Sequence, residues 1–256
     1  MSLPDLLLLA LAGFAAGGMN ALAGGGTFFS FPALLAAGLP PVTANATNAV
    51  ALWPASLAGA WAARASLRPL GRYLLPLLLA GLAGGLLGGL LLLAGGDDVF
   101  RVLIPWLLLA ATALFAASPW LGRWLAARRK TSEYPPHTPL SLGAHIGVSI
   151  YGGYFGAGMG ILQLAAFSIE GHPLARANAL KNLISAVIYS IATLTFVIAG
   201  RVSWYELAIL LTGATIGGYA GGALGEKLPP ALLRSFVILV GSGMTLYYFW
   251  STYFSA

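Results

Sequence analysis

Six stretches of this chain, near residues 45–64, 72–95, 99–119, 175–199, 204–224 and 231–252, are apolar and long enough to cross a bilayer. A spanning helix needs about 20 such residues, because each adds about 1.5 Å across a hydrocarbon core about 30 Å thick. Two more regions, 3–38 and 140–171, are equally apolar but are interrupted by glycine clusters. Only 8% of the 256 residues are charged and 59% are hydrophobic, against about 25% charged in a soluble domain. The chain therefore reads as an all-α integral membrane protein of about eight membrane segments, with little outside the bilayer. It has no cysteine, which excludes a disulfide framework, a thiolate metal site and a cysteine nucleophile. The net charge of +6 does not point to nucleic acid, since most basic residues flank apolar runs and so orient the chain in the membrane. MSLPDLLLLALAGF has Asp5 and no Lys or Arg before its apolar run, which fits a retained first segment rather than a cleaved leader.

The two halves share an order of breakers and polar residues. Pro40, Ala44, Asn45 and Ala46 match Pro173, Ala177, Asn178 and Ala179, each 133 residues later. Gly81, Gly85 and Gly89 match Gly213, Gly217 and Gly221, each 132 residues later. The layout implies one membrane domain over 1–256, with repeat one at 1–122, a cytoplasmic linker at 123–139 and repeat two at 140–256. Arg64, Arg68 and Arg72, like Arg123, Arg128, Arg129 and Lys130, mark cytoplasmic loops, and Asp97 with Asp98 an outer one. In the second half the loop near Arg201 and Glu206 is neutral and the one with Lys227 and Arg234 is basic. Equivalent loops thus fall on opposite faces, which implies an inverted repeat with an odd number of crossings per half.

Three full spans per half then require each glycine-broken region to be a re-entrant hairpin. Its tips fall near GGGT (24–27) and GAGMG (156–160). Non-helical backbone at that depth is tolerated only where it is buried in protein or lines a watery cavity. Glycines spaced by four, such as Gly81, Gly85, Gly89 and Gly213, Gly217, Gly221, Gly225, form a helix-packing face. The clustered ones do not, and we expect Gly24, Gly25, Gly26, Gly158 and Gly160 to shape a site.

Polar side chains in membrane segments are costly and mark function by default. Here they gather beside the tips: Thr27, Asn45, Thr47 and Asn48 in one half, Gln163, Arg176, Asn178, Lys181 and Asn182 in the other. TANATN (43–48) and RANALKN (176–182) are rich in residues that cap helix starts, where free N–H groups and a positive dipole end attract anions. The expected ligand is one small anion near the midplane, with Lys181 supplying charge. Lys181 alternatively snorkels to the cytoplasmic headgroups, and any one Asn or Thr alternatively only caps its helix. The seven carboxylates, Asp5, Asp97, Asp98, Glu133, Glu170, Glu206 and Glu226, all fall at expected ends or loops. That placement disfavours cation transport and carboxylate-based proton coupling, and leaves His172 as a proton-linked route. No cofactor or metal is expected.

GGMNALAGGGTFFSFPALLAAGLPPVTANATNAV (17–50) and YGGYFGAGMGILQLAAFSIEGHPLARANALKN (151–182), with the glycine-rich helices after them, resemble the sulfite exporter TauE/SafE family, also described as four-toluene-sulfonate uptake permeases. The resemblance covers nearly the whole chain. It implies a multi-pass permease of the bacterial inner membrane for sulfite, sulfonates or related anions, without fixing substrate or direction. Where the family pattern often has a small residue and Thr-Ser, this chain has Ala46-Thr47-Asn48 and Ala179-Leu180-Lys181, so the second copy departs. The expected function is an exporter working by alternating access, with a channel-like anion conduit or an uptake permease as the alternative. Its expected partners are the small anion and the lipid bilayer, with no nucleic acid; a homodimer is left open. An intramembrane enzyme is disfavoured, because Ser149 and His145 lack the motif context of a catalytic pair. A purely structural membrane protein has no reason to keep two polar clusters at helix breaks.

Overall fold

The computed structural model describes residues 3–22, 25–127, 137–224 and 230–254. Gly24, most of the linker at 123–139, and the loop carrying Glu226 and Lys227 lie outside the described residues. Among these residues the secondary structure is helical throughout, with no strand. The order is α1 (Leu3–Leu22), α2 (Thr27–Ala36), α3 (Pro41–Ala62), α4 (Arg64–Leu67), a 3-10 turn (Arg68–Tyr73), α5 (Leu74–Ala127), α6 (Pro139–Tyr154), α7 (Met159–Ile169), α8 (Leu174–Ile198), α9 (Trp204–Leu224) and α10 (Pro230–Tyr253).

The element α5 comprises two helices that meet at Gly96, with φ 67° and ψ −174°, between the spans expected at 72–95 and 99–119. The glycine-broken regions have unequal arms: 20 residues in α1 against 10 in α2, and 16 in α6 against 11 in α7. At about 1.5 Å per residue α1 is itself long enough to cross, whereas α2 and α7 cover roughly half of the hydrocarbon core.

The exterior is apolar and the interior partly polar, the reverse of a water-soluble protein. Leu79 and Leu246 are 57% and 71% exposed, while Thr47, Asn48, Gln163 and His172 are 0–1% exposed. Exposed large hydrophobics on this scale fit lipid, not water. Leu3–Asn20, Arg64–Trp124 and Ala175–Ile198 are long and apolar enough to span.

The chain forms two compact units, each drawing on both halves of the sequence. Unit 1 comprises Met1–Leu52, Leu92–Ala116 and Phe196–Ala256; unit 2 comprises Trp53–Leu91 and Ala117–Thr195. In unit 1, α1 lies directly on α9: methyl groups added to Gly13, Gly17, Gly213 or Gly217 would overlap the facing backbone. In unit 2, the first arm of α5 uses Gly84 and Gly88 against α6, and Gly81 and Gly85 against Ile184, Val187, Ile188 and Ile191 of α8. Small-residue faces let backbones approach so closely because lipid supplies no hydrophobic force between helices. The outgoing arm of each hairpin therefore packs on a glycine-rich helix from the opposite half of the chain.

Candidate functional site

In unit 1 the α1–α2 turn depends on Gly25, whose φ of 96° strains any residue with a side chain. Gly26 sits so close to α1 that a Cβ would lie 2.6 Å from the Ala16 carbonyl oxygen. The TFFSFP run then fixes α2. Phe28 meets Phe115 edge-on, Phe29 stacks on Phe236, and Phe31 packs against Phe100. Between these anchors the Ser30 hydroxyl donates to Asn48 Oδ1 at 2.5 Å and lies 3.1 Å from the Gly26 carbonyl. Thr27 and Asn45 are also buried, and Thr47 Oγ1 accepts the Ser203 N–H at 3.0 Å. The Ser203 hydroxyl donates to the Glu206 carboxylate at the start of α9.

The start of α3 corrects one expectation. The helix begins at Pro41, so Asn45, Thr47 and Asn48 stand one to two turns inside it and do not cap it. Its N-terminal end is already met by an anion, since the Val42 N–H donates to Asp97 Oδ1 at 2.8 Å. A carboxylate there satisfies an orphan donor and the helix dipole together. The Asp97→Ala protein should lose about 0.5–2 kcal/mol of stability, read as a lower unfolding midpoint in detergent; an unchanged midpoint contradicts the capping role.

Unit 2 holds the second cluster. Gly156 and Gly158 have φ of 82° and 76°, and the Tyr151 hydroxyl donates to the Ala157 carbonyl at 2.5 Å, which closes the turn. A Cβ on Gly156 would meet the Tyr189 hydroxyl at 2.9 Å. Below the turn Gln163 is buried, and its Oε1 accepts the Ser185 hydroxyl at 2.8 Å. This bond ties α7 to α8. The Lys181 Cδ is 3.5 Å from where a Gly160 Cβ would be, so the lysine chain lies against the start of α7.

One donor in this cluster lacks an acceptor. Gln163 Nε2 is buried without a hydrogen-bond partner, at a cost of about 1–3 kcal/mol for a buried unsatisfied group. Among the described residues, the ion pairs include none made by Lys181. Asn182 Nδ2 points at the Gly59 carbonyl from 3.5 Å. Asn178 is exposed, off the buried face made by Ala177, Leu180 and Ile184, and Arg176 is half-buried nearer the foot. Two apolar grooves, one between α1 and α9 of about 510 Å³ and one around Trp61 and Leu183, touch neither polar cluster.

Sequence reasoning missed Ser30 and Ser185 as partners, although Ser30 and Gln163 carry the 133-residue offset that pairs the halves. In both hairpins a polar residue on the return arm is tied to the helix that follows. Ser149 and His145 do not face each other chemically: the Ser149 hydroxyl donates to the His145 carbonyl, and the imidazole turns to Glu170. Glu170 corrects the reading of the carboxylates. It does end α7, but its side chain is only 11% exposed and lies between two imidazoles.

The family profile described as sulfite exporter TauE/SafE matches residues 9–248. The chain is 30% identical over 237 residues to the probable membrane transporter protein YfcA of Escherichia coli (strain K12), covering 92% of this chain and 84% of that one. It is 29% identical over 249 residues to a probable membrane transporter protein of Haemophilus influenzae, covering 94% and 93%. A probable membrane transporter protein, ORF9, of a Sinorhizobium species is 28% identical over 246 residues, covering 94% and 91%. No solved structure matches.

Proposed function

The chain belongs to the sulfite exporter TauE/SafE family of membrane transporters, and from that premise we propose that it carries small sulfur-containing anions, sulfite or organosulfonates, out of the cell across the bacterial inner membrane. The observation that carries this reading is the buried donor without an acceptor, Gln163 Nε2, three residues from the side-chain-free Gly160 that the Lys181 chain approaches. A sulfite or sulfonate group presents three acceptor oxygens, so it complements these side chains. Gly158 shapes the turn above this cluster, and Ser185 holds the Gln163 amide by its oxygen so that the NH2 end is left to the ligand.

The return arms α2 and α7, at roughly half the core thickness, are each short enough to end within the bilayer, as a re-entrant hairpin requires. The parallel ties Ser30–Asn48 and Gln163–Ser185 support an inverted repeat, the architecture in which one repeat rocks against the other around a fixed site. Export is downhill for an anion, by about 2.3 kcal/mol per charge per 100 mV of inside-negative potential.

A thermal-shift screen of the purified protein against sulfite, sulfate, thiosulfate, taurine and sulfoacetate tests this. At ligand near 100 times Kd, binding adds about 2.7 kcal/mol to stability. A selective rise with sulfite or a sulfonate is expected. An equal response to every anion, or none, removes the sulfur-anion reading.

A further inference from the structure

All three histidines of the chain converge at the foot of the second hairpin. His137 donates from Nε2 to the Tyr73 carbonyl at 2.9 Å, and its ring lies on the Tyr73 ring with centroids 4.1 Å apart. The Tyr73 hydroxyl is 3.0 Å from His172 Nε2. His145 donates from Nε2 to Glu170 Oε1 at 2.8 Å, and His172 Nε2 stands 3.6 Å from Glu170 Oε2. His145 and His172 are 2% and 0% exposed. Helix α6 and the α7–α8 turn thus meet on one carboxylate, with Tyr73 against His172 and His137 against Tyr73.

Glu170 Oε2 is buried and has no hydrogen-bond partner. His172 Nε2 decides what that oxygen can do. With a lone pair there, the ring accepts the Tyr73 hydroxyl and Oε2 stays orphaned. When the neutral Nδ1–H ring takes up a second proton on Nε2, that nitrogen becomes a charged donor, and the carboxylate at 3.6 Å is a stronger acceptor than a phenol. The gap then closes toward the roughly 2.8 Å of a charge-assisted bond, and the tyrosine hydroxyl turns away. One proton therefore switches between two hydrogen-bond arrangements. Among the described residues no group of three or more side chains here is suited to a metal ion.

We propose that Glu170 and His172 form a proton-binding site that takes up one proton from the aqueous face and couples it to anion transport. The coupling rests on the transporter reading. Glu170 ends α7, which carries Gln163, and His172 precedes α8, which carries Lys181 and Ser185. Drawing Glu170 onto His172 moves the end of one helix against the start of the other, and both are rigid enough to pass the shift to the Gln163–Ser185 tie. His172 is held at about 4, below its usual 6.5, first by burial; Glu170 pulls it back up, while Arg176, His137 and His145 lower it further. A pKa depressed in the folded chain gives stability that is complete above 6.5 and is lost as pH falls toward 4.

Two measurements separate this inference from the transport reading. On the purified protein, the unfolding midpoint should fall as pH drops through that window. His172→Gln should flatten the fall, and Glu170→Gln, which removes the group drawing the proton in, should move it to lower pH. A profile identical in all three proteins overturns the proton site without reference to transport. In proteoliposomes loaded with a pH dye, methanesulfonate serves as the probe because its acid group does not titrate in the working range. Methanesulfonate flux with a matching internal pH change is expected from the wild-type chain. Glu170→Gln and His172→Gln should retain labelled counterflow while losing the pH change. Wild-type flux with no pH change overturns the coupling. An absence of methanesulfonate flux counts against the transport reading for this anion, and the stability profile still decides the proton site.

Discussion

The Gly217→Ala protein should lose stability sharply, whereas Gly243→Ala should leave it unchanged or slightly raised. A Cβ at Gly217 would overlap the Phe14 carbonyl of α1, while nothing lies within 4 Å of one at Gly243. The first change must push α1 and α9 apart along their whole shared face, at a cost of about 1–3 kcal/mol for one added carbon and more for Leu. The second adds a better helix former at an open position, worth up to about 1 kcal/mol. Both helices are apolar, so hydropathy alone predicts no difference between the two substitutions. Unfolding midpoints in detergent decide it: similar values for both proteins would mean that α1 and α9 do not meet as described.

The second large effect belongs to Lys181. The Lys181→Ala protein should bind and move its anion about ten- to hundredfold less well, because a charge-assisted hydrogen bond contributes roughly 1.5–3 kcal/mol. Gln163→Met gives a companion result with an opposite sign in stability. It removes the buried Nε2 that has no acceptor, and the Ser185 hydroxyl can turn back to a helix carbonyl. That protein should be as stable as wild type or more so, yet bind more weakly. Such a split between stability and affinity marks a group kept for a ligand. Measured by counterflow and thermal shift, wild-type affinity in both variants would rule out this cluster as the anion site.

The arms of the hairpins and the glycine faces were legible in the sequence because both are local. A helix ends where contiguous glycines begin, and a spacing of four shows which side of a helix is small. Gly217 and Gly85 could be assigned to packing on that ground, though not to their partners. Pairings across long separations left no such trace. Asp97 was read as a loop charge, and nothing near it in sequence announces that it meets Val42, 55 residues away. His172 stands out in the sequence as a proton-linked route, but its meeting with Tyr73 spans 99 residues. Lys181 was identified without its direction, since periodicity gives the face of a helix and not the course of a long flexible side chain.

The lodging of α1 against α9 also sets an order of assembly. Helix α9 leaves the ribosome roughly 200 residues after α1, which at about 5–20 residues per second is a wait of roughly 10–40 s. Throughout that interval the first hairpin sits in the bilayer with the glycine face of its outgoing helix uncovered. The second hairpin emerges with its partner, the first arm of α5, already inserted. A stop codon ahead of Trp204 should therefore harm the oldest part of the chain, at the opposite end of the gene, while leaving unit 2 its complete set of helices.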